Sequence, residues 1–239
     1  GRFTPAMTED LGGGVTQYIF SSEDRGPTCF TGQPFQMATR DGEGDTLMIF
    51  LQGGGACAPS GCNAVEGAMR GIIPWGLLDF QDPMNPAVQF DVGYLPYCDG
   101  SLWGGHRDVD SDGDGVADRR FRGLQNLSAS LDVIKRRFPA PSRVFVTGNS
   151  AGGAGTHMAL PLVRKLYPGV AIELVNDSGL GIFSPGALDT LISCWNSRPF
   201  FPESCSDCIG DDGNLTGYLA YQLAEDPDLR MGIMSTRRD

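Results

Sequence analysis

Arg143-Val-Phe-Val-Thr-Gly-Asn-Ser-Ala-Gly152 is the stretch on which the fold turns. Arg143 to Thr147 is a short apolar run rich in β-branched residues, which reads as a buried strand. Gly148-Asn149-Ser150-Ala151-Gly152 then makes a sharp turn of the G-x-S-x-G kind, and Thr156 to Leu166 suits a helix despite Pro161. Strand, turn and helix in this order are the setting in which a serine is raised above a sheet edge as a nucleophile. Side chains at the flanking positions would strike neighbouring backbone, so glycines stand there. The helix N-terminus behind the serine presents free N–H groups and partial positive charge to a developing oxyanion. Ser150 is the expected nucleophile, with the Ala151 N–H as one oxyanion donor.

Working outward, the same alternation continues on both sides. Asp45 to Gln52 is an apolar strand that breaks into Gly53-Gly54-Gly55. Bare backbone at a strand end can supply the second oxyanion donor, as in the HGGG-type loops of esterases. Residues 56–100 are rich in Gly, Pro and Cys and read as loops and short turns. Leu124, Leu127, Leu131, Ile134 and Phe138 recur at helical spacing, with Asp132 and Arg136 as an i,i+4 pair, until Pro139 and Pro141 stop the helix. Val170 to Val175 is a third strand, and Ala187 to Cys194 a further helical segment. The expected fold is α/β, an α/β-hydrolase-like, largely parallel sheet flanked by helices, forming one domain over residues 1–239.

Composition narrows the function. Eighteen Lys and Arg against 29 Asp and Glu give a net charge of −11, which disfavours nucleic acid as a partner. No apolar run approaches the ~20 residues of a membrane span. Seven cysteines, several in loop-like sequence, read as disulfides in an oxidising compartment, hence a secreted or periplasmic protein. Cys57 and Cys62 could pair beside the glycine loop. Cys194, Cys205 and Cys208 include a C-x-x-C, but three thiols without a histidine favour disulfides over zinc.

A serine nucleophile needs a base and an acid, in the chain order Ser, acid, His. The chain has two histidines, His106 and His157. His157 lies seven residues beyond Ser150 on the same helix and faces away from it, which makes it a packing or surface residue. His106 precedes the nucleophile. Met231 to Thr236 resembles a short strand, so Asp239 just beyond it is the expected acid, with Asp177 in Asn176-Asp177-Ser178-Gly179 as its competitor. On this reading the histidine belongs to a C-terminal segment following Asp239.

These pieces together resemble the pectin acetylesterase and Notum carboxylesterase family. The matching stretches are Thr28-Cys29, Leu-Gln-Gly-Gly-Gly-Ala-Cys at 51–57, Pro96-Tyr97-Cys98 with Trp103-Gly104, Gly-Asn-Ser-Ala-Gly-Gly at 148–153, and Asn-Asp-Ser-Gly at 176–179. Gln52 stands where family members usually carry Glu. The resemblance implies a secreted serine esterase acting on acetyl or short acyl esters, most simply of a polysaccharide. It assigns Ser150 as nucleophile, Gly54, Gly55 and Ala151 as oxyanion donors, and Asp239 as acid. The rival from another class is a non-catalytic, calcium-stabilised carbohydrate-binding protein or pseudoenzyme, supported by the lack of a histidine in the expected place.

One motif falls outside that pattern. Asp108, Asp110, Asp112, Asp114 and Asp118 place five carboxylates within eleven residues, which repel one another unless a cation holds them. Counted from Asp110, the carboxylates fall at positions 1, 3, 5 and 9, with Gly115 at position 6. The expected ligands are Asp110, Asp112, Asp114, the Val116 carbonyl and Asp118, and the expected ion is a structural Ca2+. Phe121 at position 12 replaces the bidentate Glu of an EF-hand. Asn126-Leu-Ser and Asn214-Leu-Thr are glycosylation sequons.

Overall fold

The computed structural model describes residues 3–22, 26–210 and 213–236. In chain order the strands and helices are β1 (Met7–Gly12), β2 (Val15–Ile19), β3 (Gln36–Arg40), β4 (Thr46–Leu51), β5 (Gly55–Ala58), β6 (Gly61–Ala64), β7 (Asp91–Leu95), β8 (Arg107–Val109), β9 (Arg119–Phe121), α1 (Gly123–Arg137), β10 (Arg143–Asn149), α2 (Ala151–Leu166), β11 (Ala171–Asp177), α3 (Ala187–Trp195), α4 (Thr216–Glu225) and β12 (Arg230–Met234). Eight strands form one sheet in the order β1-β2-β3-β7-β4-β10-β11-β12. β7, β4, β10, β11 and β12 are mutually parallel, while β1, β2 and β3 add an antiparallel meander on the β7 side. The largely parallel α/β sheet read from the sequence is therefore present.

Burial follows from that order. All six residues of β4 are buried, as a central parallel strand covered on both faces requires. Leu47, Ile49, Leu51, Val144, Val146, Ile172 and Leu174 share one core with Leu127, Leu131 and Ile134 of α1. Each such side chain contributes roughly 1.5 to 3 kcal/mol by leaving water. α1 packs on β7 and α2, and α2 lies across β4, β10 and β11.

Three segments depart from expectation. β7 is a strand of the main sheet inside the span read as loops. Gly93 interrupts its apolar run, because a Cβ there would lie 2.3 Å from Cδ1 of Ile134 on α1. Helix α2 starts at Ala151, directly after the serine and five residues earlier than its sequence suggests. Its first turn is Gly-rich and poor in helix propensity, but close packing on the sheet overrides that preference. The sequon at Asn126 is closed to modification: its side chain is fully buried in α1, accepting from the Thr28 N–H (2.9 Å) and donating to the Thr28 carbonyl (3.0 Å).

Pro161 leaves the carbonyl of His157 without its usual helical donor. Gln222 Nε2 (2.8 Å) and the Tyr218 hydroxyl (3.3 Å), both from α4, donate to it instead. The kink-prone position is thus satisfied by a neighbouring helix. Disulfides Cys29–Cys98, Cys57–Cys62 and Cys205–Cys208 leave Cys194 as the free cysteine. Cys205 and Cys208 are joined to each other, so the zinc alternative falls. Among the described residues no helix is long and apolar enough to cross a membrane.

Candidate active site

The chain leaves β4 toward β7 on one side, and leaves β10 toward β11 on the other. The carboxyl ends of β4 and β10 therefore flank the point where strand order reverses, the crevice in which open α/β sheets hold ligands. Leu51-Gln52-Gly53-Gly54-Gly55 leaves β4 there, and Ser150 leaves β10 beside it.

Ser150 sits at φ 52° and ψ −120°, a backbone region that non-glycine residues rarely occupy. The surrounding structure holds it there. Its N–H donates to the carbonyl of Asp177 at 2.7 Å, and Asn149 Oδ1 accepts from the Gly53 N–H at 3.2 Å. The two flanking glycines meet a steric demand. A Cβ at Gly152 would lie 2.0 Å from the Leu51 carbonyl oxygen, and one at Gly148 would lie 2.5 Å from the same atom. The elbow and the glycine loop are thus packed backbone against backbone.

Across the gap, Gly55 adopts φ +81° and opens the β5–β6 hairpin. A Cβ there would lie 1.7 Å from the Asn63 carbonyl oxygen. The Cys57–Cys62 disulfide closes the hairpin, as its spacing suggested, and the Cys57 N–H is anchored to the Gly100 carbonyl at 2.8 Å. A cavity of about 490 Å³ opens between the two loops; Ser150, Ala151, Gly55, Leu102, Ile182 and Phe183 are among its lining residues. The cavity wall is mainly apolar, and Ser150, Ser178, Ser235 and Thr236 bring hydroxyl-bearing side chains to it.

Neither histidine is among the residues lining this cavity. His157 is buried, its Nε2 2.8 Å from Asn176 Nδ2 and its Nδ1 3.1 Å from Gln222 Oε1. Desolvation pushes its pKa down to about 4, which the hydrogen bond to Gln222 only partly offsets. It is a neutral packing residue, the first of the two roles, packing or surface, that its sequence position left open. Asn176 in turn exchanges two hydrogen bonds with Gly179, fixing the loop after β11 that lines the cavity. His106 is exposed, 2.7 Å from Gln125 Nε2 and edge-on to Phe200. Asp177 ends β11, its Oδ1 accepting from the Ser178 hydroxyl at 2.9 Å. β12 lies where the sequence placed a last strand, parallel to β11. Asp239, beyond its end, lies outside the described residues.

The aspartate motif forms the loop of the β8–β9 hairpin. Its carboxylates divide into three kinds. Asp108 is held by Arg122, Oδ1 to Nε at 2.9 Å and Oδ2 to Nη2 at 2.6 Å. Asp110, Asp112 and Asp118 each bring an oxygen within 4.8 Å of the others. Asp114 does not join that group; its Oδ1 accepts from the Val116 N–H at 2.7 Å. Asp110 accepts from the N–H groups of Gly115 (2.9 Å) and Gly113 (2.7 Å), and these bonds hold its carboxyl below the usual range. The root of the hairpin, Val109 and Phe121, packs with Cys57 and Trp195, next to the glycine-loop hairpin.

The model of the pectinacetylesterase family matches residues 13–188. The chain belongs to the pectinacetylesterase family. It is accordingly a carboxylic ester hydrolase. A solved structure of the Wnt deacylase Notum from Drosophila superposes with a TM-score of 0.63 at 17% sequence identity. That likeness covers 90% of this chain and 69% of the Notum chain, and it shows the shared α/β-hydrolase-like fold. Among curated proteins none matches this sequence. The family resemblance read from the glycine loop, the elbow and the cysteine-containing motifs is thereby established.

Proposed function

We propose that this pectinacetylesterase-family chain is a secreted serine esterase that removes acetyl or short acyl groups from a polysaccharide. The observation that carries the reading is the meeting of a strained Ser150 and Gly55, the last residue of the glycine loop, in one cavity at the sheet's switch point. Ser150 Oγ attacks the ester carbonyl while a histidine base takes its proton. The carbonyl oxygen becomes an oxyanion toward which Gly54, Gly55 and Ala151 direct their N–H groups. Collapse breaks the bond to the alcohol, which leaves with the histidine's proton, and water then releases the acyl group by the same steps. Asp239 is the acid that orients this histidine. Three disulfides agree with an oxidising, extracytoplasmic setting.

The aspartate loop fits a structural Ca2+. Its donors are all oxygen, as a hard cation prefers, and Asp110, Asp112 and Asp118 already converge. Asp114 and the Val116 carbonyl are the further ligands suggested by the spacing. The ion would brace the hairpin that backs the Cys57 region and takes no part in the chemistry.

Acetate release from acetylated pectin by the full-length protein tests the reading. Ser150→Ala is expected to lower kcat by roughly 10⁴-fold or more. Retention of wild-type turnover by that variant would remove Ser150 from the reaction.

A further inference from the structure

Behind the cavity lies a loop whose construction exceeds what a connector needs. From Val92 to Gly105 every residue is buried except Leu102. Leu102 and Trp103 both take left-handed backbone conformations, with φ 53° and 66°, which cost roughly 1 to 3 kcal/mol each for non-glycine residues. The loop is held in this state from several sides. The Tyr97 hydroxyl accepts from the Leu102 N–H at 2.9 Å. Asp99 Oδ2 accepts from the Ser101 N–H at 2.9 Å and from the Ser101 hydroxyl, and Ser101 Oγ accepts from the Gly105 N–H at 3.0 Å. Trp103 is fully buried, packs against Tyr97 with ring centroids 5.6 Å apart, and fits against Gly155 of α2. The Cys29–Cys98 disulfide fixes the base of the loop.

The outcome is that Leu102 alone is turned toward the cavity beside Ser150. With Ala154 and Phe183 it also lines a second, smaller space of about 20 Å³, whose other lining residues include Met158, Ile192 and Trp195. Leu102, Ala154 and Phe183 are therefore the partition between the ester cavity and a mainly apolar space on their other side. A polysaccharide alcohol must stay in open solvent, so the side of the cavity walled by these three residues is the place for the acyl chain.

We propose that Leu102 sets the acyl length this enzyme accepts, as a wall on that side of the cavity, and that Tyr97 and Asp99 are positioning residues that hold it there. The proposal rests on the ester-hydrolase reading of the same cavity. Shortening the wall joins the two spaces and lengthens the acyl site; enlarging it shortens the site.

The test compares kcat/KM of the full-length protein on p-nitrophenyl acetate, butyrate and octanoate, with circular dichroism reporting the fold. Leu102→Ala is expected to raise the octanoate-to-acetate ratio about tenfold or more, chiefly through a lower KM for octanoate, since each accommodated methylene is worth about tenfold or more. Leu102→Phe is expected to lower the butyrate-to-acetate ratio. Tyr97→Phe, which removes the acceptor for the Leu102 N–H, is expected to move the ratio in the same direction as Leu102→Ala but less. A folded Leu102→Ala or Leu102→Phe with the wild-type chain-length profile overturns the wall. A wild-type profile in folded Tyr97→Phe overturns the positioning role of Tyr97. If the wild type turns over none of the three esters, the hydrolase reading fails first and the proposal with it.

Discussion

The elbow around Ser150 and the loop around Asp110 are both short, glycine-containing turns after a strand, yet they are shaped by opposite means. The elbow is fixed from outside. Leu51, Asp177 and the glycine loop crowd it until only hydrogen fits at Gly152, and the strained serine has no room to relax. The aspartate loop is fixed from within. Its carboxylates accept from backbone N–H groups two to seven residues away, in solvent. A geometry imposed by packing persists whatever the solution contains, while a loop of clustered carboxylates responds to cations and pH.

The strongest challenge to that contrast is Gly152→Ala. Its Cβ would meet backbone rather than a movable side chain, so stability should fall by about 3 kcal/mol or more, with loss of esterase activity. Urea denaturation measures the first. A variant within about 1 kcal/mol of wild type would show that the elbow tolerates displacement.

His157 sharpens the packed side of the comparison. Its folded-state pKa, about 4, lies below the ordinary value of 6.5. Its neutral form therefore stabilises the fold above pH 6.5, and that contribution of up to about 3 kcal/mol fades as pH falls toward 4. Burial pushes the fully buried Asp99 the other way, up to about 6, so its contribution weakens as pH rises through roughly 4 to 6. The two overlap, and His157→Gln isolates the first. Thermal unfolding of this variant should show a lower Tm than wild type at pH 7.5 and a smaller loss between pH 6.5 and 4.5. An unchanged pH slope would mean that His157 is not the group responsible.

On the exposed side, millimolar Ca2+ should raise Tm by several degrees, and Asp118→Asn should abolish that gain. Equal melting with calcium and with a chelator would leave the loop a solvated acidic turn. The smallest effect is expected for Asp114→Asn, whose carboxylate stands outside the converging group. A calcium response lost in this variant would restore Asp114 as a principal ligand.

Legibility in the sequence followed the same division. β4 and β10 announce themselves as apolar runs of buried parallel strands, β11 less plainly because Glu173 interrupts it, and the elbow because its glycines are sterically compelled. α1 is visible through its apolar stripe and the prolines after it. The first turn of α2 is not, since Gly152, Gly153 and Gly155 were selected by what they touch across the fold. β7 is hidden by Gly93, present for the sake of Ile134, and by the prolines around it. Among the disulfides, Cys57–Cys62 is suggested by its short spacing, whereas Cys29–Cys98 depends on chain topology. Ser150 and the glycine loop were readable for the same reason as the elbow. The role of Leu102 was not, because only the backbone conformation of residues 102 and 103 turns its side chain toward the cavity.

The central claim is that packing at the switch point makes Ser150 the nucleophile. Treating the full-length protein with a serine-directed fluorophosphonate and mapping the adduct by mass spectrometry tests it most directly. The account predicts one stoichiometric adduct on Ser150, absent from Ser150→Ala and suppressed by prior unfolding. An adduct on another serine, or none on folded protein that hydrolyses esters, would contradict it.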